Sequence, residues 1–425
     1  MSRFAALIIM LVTALLGVGL AYLMGVAGII GFLASGMGEY LQALPRRAFS
    51  QLDVFALMAM PLFVLVGELM NRGGITRSLI DLASLFVGRS RGGLGHVNVA
   101  SSVFFAGVSG SAMADAAALS STLVPAMKEN GYSGVYAGAI TAASSVIGPL
   151  IPPSIILIFY GAIMNVDVAA LFAASIVPGL LLSLALFAAN AVIARLDNHP
   201  SLNSRPPFLR TIRKAGPAML LPVIIIAGIV FGVVTPTEAA ALAVVTSLLI
   251  MAFGGQLKWS NVKEAVFSAT VFTGAIFAII FAATSINFLA ALLGAPAMIS
   301  SWLDANAFSL NAYLAVLTCI FILVGMVLDT QIALILLAPI LVPAAYPLGA
   351  DPVHLGVIVC FTITLGLITP PLGGVVLIVS AATRESYWSL MKALLPFILI
   401  EFAVLFLLLY EPGIVLSLPR AMGLL

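Results

Sequence analysis

Two pairs of short stretches hold the residue types that could do chemistry. "GVSGSAMAD" (Gly107–Asp115) and "GMVLDTQ" (Gly325–Gln331) set small polar residues and an acid inside long apolar runs. "GPLIPP" (Gly148–Pro153) and "GLITPP" (Gly366–Pro371) place a proline pair inside others. Proline removes a backbone donor and clashes with the preceding turn, so an apolar helix carrying such a pair breaks there. In hydrocarbon the freed carbonyls must find partners. They can coordinate a desolvated cation, while half-helix N-termini can face an anion. Ser109, Gly110 and Ser111, then Ser144, Ser145 and Ser154, then Thr330, Thr364 and Thr369 supply neutral oxygens or hydroxyl donors around these points. Neutral oxygen cages suit a sodium-like ion, whereas a proton-coupled site calls for an acid or histidine relay. Asp329 reads as a substrate or ion contact. Asp115 reads equally as such a contact or as a cap of a returning half-helix, and Glu68 and Glu401 as structural or interfacial pairs.

The elements that position these residues follow from composition. With 62% hydrophobic and 8% charged residues over 425 positions, the chain is an all-α polytopic membrane protein. A net charge of +2 gives no footprint for nucleic acid. Cys319 and Cys360 lie in apolar runs unsuited to disulfide or zinc use. Apolar runs predict spans near 4–24, 25–42, 53–71, 168–194, 217–235, 237–255, 271–293 and 386–410, with broken spans at 134–164 and 353–383. The runs 95–128 and 312–346 carry their polar residues centrally, as a re-entrant pair of half-helices would. The loop at 195–214 holds five basic residues and one acid and is placed in the cytoplasm. The loops 72–93, 256–264 and 384–392 then share its side, and Asp167, Glu238, Asp304, Asp351 and Glu411 face outward. Arg46 and Arg47 are the exception, falling outside.

An internal repeat links the stretches. A shift of 218 positions carries Gly107 onto Gly325, "LVPA" at Leu123–Ala126 onto "LVPA" at Leu341–Ala344, Gly138 onto Gly356, and Gly148 onto Gly366. It also carries Pro152–Pro153 onto Pro370–Pro371. Counting spans, the two broken helices run in opposite directions, so the repeats are inverted. Gly138 and Gly356 read as close-packing positions, and Pro61, Pro222 and Pro236 as kinks or turns. Any single Ser or Thr can simply back-bond to its own helix.

These paired motifs, with "PLFVLVGELMNRGGI" at Pro61–Ile75, resemble the large membrane subunit of the tripartite ATP-independent periplasmic (TRAP) transporters over essentially the whole chain. The resemblance implies an elevator-type secondary transporter of the bacterial cytoplasmic (inner) membrane that moves a small organic acid inward with sodium. A periplasmic substrate-binding protein and a separate small membrane subunit of about four spans would be its partners, alongside membrane lipid. Sodium is the coupling ion and no other cofactor is implied. One sodium site would lie at Ser109–Ser111 with Ser145, Gly148 and Ile151, and a second at Gly325, Gly366 and Thr369. The substrate-facing set is Ser111, Ser154, Asp329 and Thr330 with the break prolines Pro153 and Pro371.

The corresponding division is scaffold and first arm at 1–92, first core repeat at 93–166, scaffold and second arm at 167–310, second core repeat at 311–384, and a C-terminal span at 385–425. Arg77–Gly88 and Leu257–Ala269 resemble the interfacial arms. An intramembrane enzyme is disfavoured because His96, His199 and His354 are scattered and no H-E-x-x-H occurs. A stand-alone sodium–carboxylate symporter of the same superfamily is the main alternative, and an ion channel a weaker one. Which organic acid is carried is not written in this chain.

Overall fold

A computed structural model describes residues 19–201 and 207–425. Among them there is no β-strand, and six helices are long and apolar enough to cross a membrane. The first span expected from residue 4 lies largely outside the described residues. Helix α1 (Leu20–Ala34) runs through the expected boundary between two spans, and α2 (Leu44–Leu52) is a short amphipathic helix that the apolar-run reading had not separated. Then come α3 (Ala59–Arg72) and α4 (Ile75–Val87), the first expected arm.

The first repeat comprises α5 (Gly93–Ser109), α6 (Ala112–Glu129), α7 (Gly134–Ser145) and α8 (Ile155–Met164). After it run α9 (Val168–Leu196), α10 (Phe208–Val230), α11 (Pro236–Phe253), α12 (Trp259–Leu292) and α13 (Ala295–Ala305). The second repeat comprises α14 (Leu310–Gly325), α15 (Thr330–Leu341), α16 (Pro352–Gly366) and α17 (Gly374–Thr383). Helices α18 (Tyr387–Tyr410) and α19 (Pro412–Ala421) close the chain.

Side chains that accept from the first free amides start six of the eight repeat helices: Ser111, Ser133 and Ser154 in the first unit, Ser309, Asp329 and Asp351 in the second. The second expected arm is not a separate element. No breaker interrupts the 34 residues of α12, which at about 1.5 Å per residue reach about 51 Å, well beyond a hydrocarbon core of about 30 Å. Helix α1 lies on α12 through a face of small residues. A Cβ on Gly28 would collide with Ser285, and one on Gly31 would fall 2.6 Å from Leu289. Arg72 ties α3 to α12, reaching Glu68 at 3.1 Å, Glu264, and Ser268 at 3.1 Å. Glu68 is thus a structural pair, as its position suggested.

Tertiary contacts show the inversion directly. Lys128 pairs with Glu385 at 2.7 Å and donates to the Thr383 carbonyl at 3.1 Å, bringing the start of α7 to the end of α17. At the opposite end Tyr160 donates to the Pro352 carbonyl at 3.2 Å, bringing α8 to the start of α16. The broken helices therefore run antiparallel. Each repeat also packs into the other: α6 against α17 and α15 against α8. Gly138 leaves room for Val379 and Leu390, and its equivalent Gly356 leaves room for Tyr160 and Leu171, so both are the close-packing positions expected. Helices α9 and α18 lie on the repeats and on each other, whereas α1–α3 and α10–α12 form a separate group. Helix α9 thus packs beside the repeats.

Candidate functional site

The first tip is the turn Gly110–Ser111 between α5 and α6. Gly110 adopts φ +59°, and a Cβ there would fall 3.1 Å from the Ile155 amide nitrogen and closer still to the Pro153 carbonyl, so the tip sits directly on the first break. Ser111 caps α6 through the Ala114 amide at 3.4 Å, and its own amide donates to Ser109 Oγ at 3.3 Å. Ser109 in turn donates to Asp115 Oδ1. The other carboxylate oxygen of Asp115 is buried without a hydrogen-bond partner. It points at Gly148, where a Cβ would collide with it and would lie 3.2 Å from the Ser145 carbonyl oxygen. Four of the residues expected to hold a first cation, Ser109, Ser111, Ser145 and Gly148, thus meet around a carboxylate. Ile151 lies on the same break, in contact with Gly179 of α9. Asp115 is absent from that expected set; its signal was an acid four residues past a tip serine, on the face that turns back toward the break.

A fully buried carboxylate with no basic partner is expensive in a membrane interior. The orphaned oxygen, the carbonyl of Ser145 and the absence of space for any side chain at Gly148 fit a small hard cation with oxygen ligands. The Ser145 hydroxyl back-bonds to the Ala142 carbonyl at 2.7 Å, leaving its lone pairs available. Ser154 is fully buried and builds the break itself, donating to the Pro149 carbonyl and capping α8 through the Leu157 amide at 3.4 Å. Pro153 is buried beside it. Both X-Pro bonds, Pro152–Pro153 and Pro370–Pro371, are cis.

The second tip, Met326–Asp329, rests on the second break through backbone alone. A Cβ on Gly325 would fall 2.6 Å from the Ile363 carbonyl oxygen, and one on Gly366 would fall 2.5 Å from the Gly325 carbonyl carbon. Gly373 donates from its amide to the Met326 carbonyl at 3.3 Å, tying the start of α17 to the tip. The Thr369 hydroxyl back-bonds to the Leu365 carbonyl at 2.6 Å, and Thr364 likewise to Cys360 at 2.7 Å. Asp329 occupies the position equivalent to Ser111 and does the same work: its Oδ1 accepts from the Gln331 amide at 3.1 Å and caps α15. Thr330 is buried and donates to Gln331 Oε1 at 3.0 Å. Pro371 is exposed and its carbonyl accepts from the Tyr387 hydroxyl at 3.0 Å.

The starts of several half-helices converge here. Met113 in the first turn of α6 lies 3.1 Å from the Cβ position of Gly374 in the first turn of α17, while Gly110 abuts the start of α8. Helix N-termini carry partial positive charge and free amides, so the cluster suits an anion beside the Asp115 pocket. Two scaffold contacts were not foreseen. Pro222 of α10, read as a kink, packs against Gly107, and a Cβ on Gly67 of α3 would lie 3.7 Å from Ser109 Cα. Glu401 differs from its expected pairing: both its oxygens are buried without a partner among the described residues.

Residues 7–414 match the family described as "Tripartite ATP-independent periplasmic transporter, DctM component". The chain is 35% identical over 382 residues to the sialic acid TRAP transporter large permease protein SiaM of Vibrio cholerae, covering 88% of each chain. It is 34% identical over 389 residues to the C4-dicarboxylate TRAP transporter large permease protein DctM of Pseudomonas aeruginosa, covering 91% of each. A further relative, 30% identical over 383 residues, is the 2,3-diketo-L-gulonate TRAP transporter large permease protein YiaN of Escherichia coli. Among solved structures the fold is shared with the YdaH transporter of Alcanivorax borkumensis, at TM-score 0.64 and 16% identity over 90% of each chain. These relatives are transporter permeases and not enzymes, and the chain is a multi-pass membrane protein that belongs to the TRAP large permease family.

Proposed function

We propose that this permease takes up a small organic acid together with sodium, received from a periplasmic binding protein and assisted by a small membrane subunit. The observation that carries the reading is the unpartnered oxygen of Asp115, buried against Gly148 and the Ser145 carbonyl. A cation there neutralises a charge that otherwise has no counterpart in the membrane interior. Sodium is the natural occupant, since the surrounding donors are all hard oxygens and the histidines lie elsewhere. A second ion is assigned to Gly325, Gly366 and Thr369, where tip and break backbones touch. The substrate anion sits between, at the converging helix N-termini, with Ser111 and Thr330 at their first turns and Asp329, Ser154, Pro153 and Pro371 framing it. The printed substrates of three relatives, sialic acid, C4-dicarboxylate and 2,3-diketo-L-gulonate, are all organic acids, which supports that class here.

An elevator movement fits the packing. The repeats with α9 and α18 form one body, and α1–α3 with α10–α12 form the surface along which it slides. Among the described residues one hydrogen bond crosses that seam. Pro339 lacks the backbone N–H that would donate to the Ile335 carbonyl in α15, and Asn287 of α12 donates to that carbonyl instead, at 2.9 Å. The test is uptake of candidate acids into proteoliposomes holding this chain, with its binding protein and small subunit supplied. Uptake is expected only with a sodium gradient; full uptake driven by a proton gradient in sodium-free buffer overturns the reading.

A further inference from the structure

Arg47 breaks the charge pattern of the chain, a basic residue on the face that otherwise carries Asp167 and Asp351. Its surroundings give it a role. A cavity of ≈ 210 Å³ opens between α2, α12, α8 and α15, lined in part by Arg47, Gln51, Thr284 and Asn287. The guanidinium is held over the Phe288 ring at 4.5 Å, which fixes its position without neutralising it. No carboxylate lines the cavity, and among the described residues no acidic side chain pairs with Arg47. The cavity reaches Ala162 and Ile163 in the last turns of α8, the helix whose first turn stands at the first break. It therefore lies one half-helix, about 15 Å, from the proposed substrate site. It also sits on the seam, since Asn287 and Ile335, the partners of the hydrogen bond between α12 and α15, both line it.

We propose that this cavity is an outer receiving site for the carboxylate of the organic acid, with the Arg47 guanidinium and the Gln51 amide as donors. The proposal rests on the organic-acid reading above and adds to it a residue outside both repeats. An unpaired, ring-supported guanidinium offers two parallel donors that match a carboxylate. The repeats themselves contain no arginine between Gly93 and Thr383 at either tip or break. The anion is thus caught by a full charge at the seam and handed to the partial charges of helix N-termini inside.

The test reads the site without requiring transport. In a background with Cys319 and Cys360 replaced by alanine, Gln51→Cys is labelled with sulfonatoethyl methanethiosulfonate and with its trimethylammonioethyl counterpart, of opposite charge. The anionic reagent is expected to react faster relative to the cationic one, by about fivefold. Arg47→Gln is expected to remove that preference and Arg47→Lys to keep most of it. Millimolar succinate or sialate should slow labelling where equal chloride does not. In uptake, Arg47→Gln should raise the half-saturating acid concentration about fivefold with little change in maximal rate. No charge preference, or a preference unchanged in Arg47→Gln, overturns the proposal. Protection by added phosphatidylglycerol but by no organic acid overturns it too, assigning the site to a lipid headgroup. Protection by acids in a protein that fails to take them up leaves the receiving site standing and overturns the transport reading instead.

Discussion

The two breaks share one motif and meet different surroundings. At the first, Ser109 and Ile151 are each only 9% exposed, roofed by Pro222, Gly67 and Gly179 from three neighbouring helices. At the second, Pro370 and Pro371 are exposed, as are Leu372 at 46%, Val327 at 58% and Leu323 at 62%. The chemistry differs in step. The sealed unit holds the carboxylate of Asp115, while the second unit has Ala333 at the equivalent place and brings tip and break together through backbone. Inverted repeats thus supply two similar cradles, of which the first holds a buried carboxylate at a place the second gives to alanine.

The comparison breaks most visibly at Asp115. Removing one side of a buried charge pair costs about 3–5 kcal/mol, so Asp115→Asn is expected to lower sodium-driven uptake by more than about a hundredfold in proteoliposomes. Near-normal, still sodium-dependent uptake would mean that the sealed unit does not hold the ion through this carboxylate. The two glycines come next. Gly366→Ala drives a Cβ into the backbone of Gly325, which cannot rotate away, so a melting assay should report a loss of about 1–3 kcal/mol. Gly148→Ala meets the Asp115 side chain and should weaken sodium dependence more than it lowers the melting temperature. Equal effects of the two substitutions on both readouts would erase the distinction between the units.

Asn287→Leu removes the bond across the seam and should cost about 1 kcal/mol, seen as a modestly lower melting temperature with uptake retained. The smallest effect is expected at Asp329. If it acts as its twin Ser111 does, by capping, Asp329→Asn keeps uptake within about twofold, whereas Asp329→Ala costs about 1 kcal/mol of stability. Strong and equal loss of uptake in both would make the carboxylate itself a ligand.

Much of this arrangement is legible in the sequence. Apolar runs with central Gly, Pro and Ser fix spans, hairpins and breaks, because unsatisfied backbone is tolerated in a membrane only where it has a purpose. The 218-position repeat locates both cradles and their shared glycines. Three facts were out of reach. The helix α12 passes through an expected arm because local polarity at Leu257–Ala269 says where a helix is wet and not where it ends. Pro222 reads as a kink until α10 is seen against Gly107. The grouping of α9 with the repeats depends on contacts between segments far apart in the chain.

The sequence by itself determined the class, the breaks and the inverted repeat, since these follow from hydropathy, proline chemistry and residue spacing along one chain. Only the tertiary structure decided which acid keeps an oxygen without a partner and which caps a helix. Asp115 and Asp329 are alike as residues, each close to a tip. One turns its oxygen into a sealed space beside Gly148 and the other spends an oxygen on the amide of Gln331. That choice is set by what packs around each tip, and packing is a property of the assembled helices.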